Sequence, residues 1–169
     1  RVFLFGIRRD LELKSACFPP EPTHANPQSR PALLSLQPWA TVRNALAEIP
    51  DIGQFHGLGN HTASNYKLLF NGYLGHRRID WDKPAPTVTA RGDDRGGVVV
   101  LPHPNNARRM TVLELALIQT FPLGYKFCGS RTSAYRQIAN AVPPRLARAG
   151  ALSVLQTYEA MLRASPILV

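Results

Sequence analysis

The first seven residues, Arg1-Val2-Phe3-Leu4-Phe5-Gly6-Ile7, form a short apolar run with no polar alternation. Alternation marks a strand with one wet face. Its absence predicts a strand buried on both faces, the kind found inside a parallel sheet. Such a strand needs neighbours, and the residues that follow do not offer them. Arg8–Pro38 is rich in Pro, Ser and Asn, with five prolines between Pro19 and Pro31. Missing N–H donors and restricted backbone angles there favour loop or linker over a sheet ladder. The expectation is one strand of a larger sheet, in a chain cut from something longer.

Composition narrows the class. The 169 residues are 44% hydrophobic and 18% charged, which allows a real apolar core and argues against wholesale disorder or a fibrous protein. No apolar run approaches the ~18 to 20 residues needed to span a bilayer, and no signal-peptide pattern opens the chain. Two distant cysteines, Cys17 and Cys128, make neither a disulfide framework nor a zinc spacing, and each reads as a small buried or neutral residue. These features predict a reducing, cytoplasmic setting with no membrane partner and no metal. Twenty Lys and Arg against eleven Asp and Glu leave a net charge of +9. A domain this basic is expected to meet a polyanion, most commonly nucleic acid, although solubility charge is the alternative. Placement favours the polyanion: Leu115–Tyr158 holds no carboxylate, against Lys126, Arg131, Arg136, Arg145 and Arg148.

Local patterns place several elements. Thr41–Ile49 is predicted as a helix capped by Thr41, with Val42, Ala45, Leu46 and Ile49 on one face and Pro50 as its stop. Pro84–Ala90 reads as extended, Asp93–Gly97 as a turn and Val98–Leu101 as a strand. Thr111 and Glu114 form a Thr-x-x-Glu capping box ahead of Leu115, Leu117 and Ile118, and Pro122 is expected to end that helix. The last helix is predicted from Pro143 to Arg163, with Leu146, Leu152, Leu155, Tyr158 and Leu162 as core contacts. His103, before Pro104, reads as a turn residue or a phosphate contact. Trp81 reads as a core anchor. Arg91, Arg95, Gly96 and Gly97 make either a DNA-reading loop or an ordinary hairpin turn with solvated arginines. In the first case arginine presents two donors to a guanine edge, and glycine lets the backbone approach a groove. Arg77 and Arg78 fit phosphates better than bases.

Two blocks are far more specific. One is Arg109-Met110-Thr111-Val112-Leu113-Glu114-Leu115-Ala116-Leu117-Ile118-Gln119-Thr120-Phe121-Pro122, and the other runs from Gly129 to Pro144 through Tyr135-Arg136-Gln137-Ile138-Ala139-Asn140-Ala141-Val142. In this order and separation they resemble the last two motifs of DNA (cytosine-5) methyltransferases. The stretch Arg78–Arg91 looks like the part of the target-recognition domain just before them, and Thr41–Leu46 is similar to a helix at that domain's start. Arg1–Gly6 resembles the strand motif that closes the catalytic half. Departures are Ala139 where the family usually has glycine, Leu113 where it has arginine and Leu123 where it has aspartate.

The resemblance implies a mixed α/β fold. Residues 10–128 would be an irregular, β-containing target-recognition domain with its linker. Residues 1–9 would be a strand, and residues 129–169 the C-terminal helices, of a Rossmann-like methyltransferase domain dependent on S-adenosylmethionine. It implies methyl transfer from that cofactor to carbon 5 of a cytosine flipped out of duplex DNA, in a restriction-modification or related setting. It also implies that Asn140, Ala141 and Val142 line the cofactor pocket, that Arg109, Thr111 and Glu114 organise the recognition domain, and that Arg1 is the candidate for the arginine that steadies the ring. Taken without the resemblance, Asn140 reads as the polar residue of a local turn. The family's nucleophile lies in a Pro-Cys pair, a pattern that does not occur in this sequence. The expected partners are therefore duplex DNA and an N-terminal catalytic part, in cis or as a separate subunit. A stand-alone DNA-binding module is the rival reading.

Overall fold

The computed structural model describes residues 3–8, 18–28, 35–52, 57–63, 68, 78–89, 101–105 and 108–164. The expected turn at 93–97, the strand at 98–100 and the DNA-reading loop lie outside these residues, as do Arg1, Arg77 and Cys17. The described elements are β1 (His24–Ala25), β2 (Gln37–Pro38), α1 (Val42–Leu46), α2 (Val112–Ile118), α3 (Arg131–Asn140) and α4 (Pro144–Ala164). The chain divides into two compact units. One comprises Arg1–Thr23 with Arg145–Val169, and the other His24–Pro144.

In the larger unit, β1 and β2 pair in parallel, with His24 opposite Gln37 and Ala25 opposite Pro38. This short ladder falls inside the segment expected to be loop, where Trp39 N–H also donates to the Ala25 carbonyl at 3.0 Å. Helix α1 is shorter than its apolar pattern predicts. Thr41 caps it as expected, and Asn44 returns the bond by accepting the Thr41 N–H at 2.9 Å. Two of its first N–H groups, from Val42 and Arg43, donate to the carbonyls of Lys83 and Trp81. Donors left over at a helix start must find partners, so α1 is seated on the 81–83 segment.

Helix α2 begins at the Thr111–Glu114 capping box read from the sequence. It does not run to Pro122. Thr120 turns left-handed at φ 66°, its N–H donating to Leu117 and that of Phe121 to Ala116, so the chain reverses before the proline is reached. Helix α3 lies within the 129–169 span expected to hold C-terminal helices, but no local pattern gave its bounds. Ser130 caps it by accepting the Ser133 N–H at 3.2 Å, and Ala134, Tyr135, Ile138 and Ala139 form its buried face. Helix α1 packs on α2 and α2 on α3. Their shared core is built on Val42, Leu46, Ile79, Leu101, Met110, Val112, Leu115, Ala116, Ala134, Tyr135 and Ile138, with Trp81 packed against it as the expected anchor.

The smaller unit departs from expectation twice. The described part of the opening apolar run forms no strand, and Leu4 is 93% exposed. Strand geometry persists only where a ladder satisfies its backbone groups, and no strand of this unit is present among the described residues to supply one. Helix α4 has the predicted extent but buries another face. Ser153, Thr157 and Met161, spaced four apart, are covered, whereas Leu146, Leu152, Leu155, Tyr158 and Leu162 are all exposed. An apolar recess of about 220 Å³ lies between α4 and residues 5–8 and 18, lined by Phe5, Phe18, Val154 and Met161 among others.

Candidate functional site

The chemistry of the larger unit is organised around the start of α2. The Glu114 carboxylate is 2% exposed, and each of its oxygens accepts one N–H of Arg108 at 2.8 Å. One oxygen also accepts the Thr111 N–H at 2.7 Å. Burial alone would push the Glu114 carboxyl up. The Arg108 guanidinium and the Thr111 N–H outweigh it and hold the group below the usual carboxylate range. Arg108 is correspondingly pushed up against its own burial, and a second carboxylate, Asp51, accepts from it at 3.4 Å. The guanidinium that reaches Glu114 thus belongs to Arg108, which the sequence reading passed over. Arg109, singled out there, is buried one position later.

Two histidines join this cluster. His61 is fully buried, with one ring nitrogen 3.0 Å from the Thr111 hydroxyl and the other 2.9 Å from the Pro50 carbonyl. It ties the 57–63 segment to the cap of α2, as does the Asn60 carbonyl, which accepts the Leu113 N–H. No spacing rule could have found it, because its partners stand 50 and 11 positions away. His103 is buried too, and so is not a phosphate contact. Its ring stands nearly perpendicular to that of Trp81, and its Nδ1 accepts the Asn105 N–H within a turn. Burial, then the nearby Arg108 charge, pushes the His103 imidazole down. Trp81, His103, Asp51, Arg108 and Glu114 line part of a recess of about 210 Å³. The arrangement is an ionic framework with a buried, hydrogen-bonded Arg108–Glu114 pair at its heart and Asp51 on its exposed rim, suited to holding a loop-rich unit in one shape.

The second focus is the exit of α3. Ala141 is extended at ψ 144°, and its N–H closes on the Gln137 carbonyl. Val142 precedes Pro143, which forbids a return to helix. Asn140 therefore stands exposed at the last helical position, with half-buried Ala141 and exposed Val142 beside it. The buried Tyr135 hydroxyl donates to the Met110 carbonyl at 2.8 Å, which fixes α3 to the segment leading into α2. Ala139, the departure from glycine, is accommodated in the buried face, and Leu113 is likewise buried. Leu123 and Cys128 are exposed, so of the buried or neutral residue expected at Cys128 the buried alternative falls away. Arg78 is exposed beside buried Ile79. Arg1, Arg77, Arg91, Arg95, Gly96 and Gly97 lie outside the described residues.

The family described as C-5 cytosine-specific DNA methylase matches residues 60–156, more than half of the chain and both foci. The chain belongs to that family. It is 42% identical over 90 residues to the type II methyltransferase M.AquIB of Picosynechococcus, covering 47% of this chain and 61% of that relative. It is 31% identical over 166 residues to the type II methyltransferase M.NgoFVII of Neisseria gonorrhoeae, covering 86% of this chain and 42% of the relative. A 78-residue stretch is 42% identical to DNA (cytosine-5)-methyltransferase 3 of Arabidopsis thaliana, covering 46% of this chain and 6% of that protein. The chain thus spans less than two thirds of the length of each. As a cytosine-5 methylase sequence it carries no helix, among the described residues, long and apolar enough to cross a membrane.

Proposed function

We propose that this chain is the C-terminal, DNA-recognising portion of a DNA (cytosine-5) methyltransferase of the restriction-modification type. In this reading residues 10–128 recognise duplex DNA, and 1–9 and 129–169 complete the catalytic domain. The observation that carries it is the exit of α3. Ile138 and Ala139 are buried while Asn140 and Val142 face outward, so a polar amide and an apolar side chain share one rigid exposed edge. That pairing fits one wall of a site for S-adenosylmethionine, whose zwitterionic end needs an amide and whose adenosine needs apolar cover. The cofactor supplies the methyl group. Arg91, Arg95, Gly96 and Gly97 are assigned to base reading, Arg77 and Arg78 to phosphates, and Arg1 to steadying the target ring. Because the sequence holds no Pro-Cys pair, the nucleophile is assigned to an N-terminal catalytic part.

That part is joined in cis or supplied as a second subunit. One observation favours the second arrangement: 90 aligned residues that make up 61% of M.AquIB put that relative's whole length at about 150 residues, shorter than this chain. Labelled methyl transfer to duplex DNA tests the proposal, with this chain alone, the N-terminal part alone and both together. Incorporation is expected only from the pair or from the joined protein. Incorporation by this chain alone, lost in Cys17→Ser or Cys128→Ser, overturns it.

A further inference from the structure

Gln119 occupies the C-cap of α2, and its side-chain amide does not point to solvent or to its own helix. Its Nε2 donates to two carbonyls beyond it, Ile138 at 3.2 Å and Ala141 at 3.1 Å. These two carbonyls bracket the exit of α3. The Ile138 carbonyl would take a helical N–H from residue 142 if α3 continued, but the extended Ala141 carries that N–H away. Gln119 thus caps α3 from outside and bridges the turn across Ala139 and Asn140. Its own backbone is set by the left-handed Thr120 and by the bonds from Thr120 and Phe121 back into α2. Ile138 is wholly buried, so water does not stand in for the amide there.

From this geometry we infer that Gln119 is a positioning residue for the cofactor-binding edge. It holds Asn140, Ala141 and Val142 in register from the helix whose other end carries the Arg108–Glu114 pair. The inference rests on the reading of that edge as a wall of the S-adenosylmethionine site. Its particular content is that the two hydrogen bonds donated by the Gln119 amide to the Ile138 and Ala141 carbonyls set the affinity of that wall.

The test uses the intact enzyme, this chain with its N-terminal catalytic part. Affinity for S-adenosylhomocysteine is measured by calorimetry, with KM and kcat for S-adenosylmethionine, duplex-DNA affinity and the unfolding midpoint alongside. Gln119→Met keeps the length and removes both donors. It is expected to weaken cofactor-product binding and raise KM about ten-fold, with kcat at saturation changed less than two-fold and DNA affinity unchanged. Gln119→Lys restores a donor and is expected to recover most of the loss. Asn140→Ala is the reference. If it weakens cofactor binding and Gln119→Met does not, the positioning role is wrong and the edge assignment stands. If neither does, the edge assignment itself fails. Equal losses of cofactor and DNA binding in Gln119→Met, or a loss of fold that Gln119→Lys does not repair, assign Gln119 to general packing and overturn the inference.

Discussion

Arg108 and Glu114 meet side on, two guanidinium N–H groups against two carboxylate oxygens at 2.8 Å each, with the carboxylate almost wholly out of water. Removing one member of such a pair strands the other in a medium that solvates it poorly. Glu114→Leu is therefore expected to destabilise the chain by about 3 to 5 kcal/mol. Glu114→Gln keeps an oxygen for the Thr111 N–H and should cost less, about 1 to 3 kcal/mol. The exposed Arg43–Asp82 pair, although bidentate, should give no measurable loss in Asp82→Asn. Urea unfolding of the three variants checks the ranking.

Acid should unfold the protein in two stages. Burial and Arg108 hold His103 below its ordinary 6.5, so below that pH the unfolded chain takes up a proton that the folded chain refuses. Stability then falls as pH drops through that region. Glu114, also held low, contributes stability that is complete above its ordinary 4.5 and is lost as pH falls further through its folded value. His103→Gln should flatten the first stage and leave the second. Unfolding free energy measured from pH 8 to well below 4.5 in both proteins checks this; an unchanged first stage would assign it to another group.

Thr120 is a β-branched residue held at φ 66°. Side chains other than glycine pay roughly 1 to 2 kcal/mol for that backbone shape. Thr120→Gly relieves the strain and returns part of the gain as unfolded-state freedom, so a net stabilisation of about 1 kcal/mol is expected. For a chain of this size that is a rise of about 2 to 4 °C in Tm, readable by thermal unfolding. No rise would mean that the threonine side chain makes compensating contacts.

Asn140→Ala in the intact enzyme should weaken S-adenosylmethionine binding by about 1 to 3 kcal/mol if a polar partner is left unsatisfied. DNA binding should stay near its starting value. Equilibrium dialysis and a DNA titration at fixed salt separate the two. Unchanged cofactor affinity returns Asn140 to the reading of a turn residue.

Replacing Arg91 and Arg95 together by alanine should erode discrimination among DNA sites more than total affinity, by about 1 to 3 kcal/mol per lost base contact. Competition between a cognate and a scrambled duplex measures it. A smaller salt slope with discrimination intact would mark both residues as phosphate contacts.

What the sequence determined by itself was local. The caps at Thr41 and Thr111 are set by side chains within three positions of the N–H groups they serve, and both helices start where those patterns put them. Family membership was equally legible, because it is written in contiguous blocks. The bounds of helix α3 are not legible locally because its apolar positions are few and its alanines small, so burial against α2 rather than its own pattern makes it stable. The buried face of α4 was misread for a related reason. A stripe of leucines is the most apolar face, but the face that is covered depends on what chain lies nearby, and here it is Ser153, Thr157 and Met161. The partners of Glu114, His61 and Gln119 were decided only by tertiary structure. A buried polar group takes whichever complementary group the folded backbone brings within hydrogen-bond reach, and for His61 and Gln119 that group lies 11 to 50 residues away. For Glu114 it is Arg108, six positions back, whose guanidinium the folded turn presents edge-on to both oxygens.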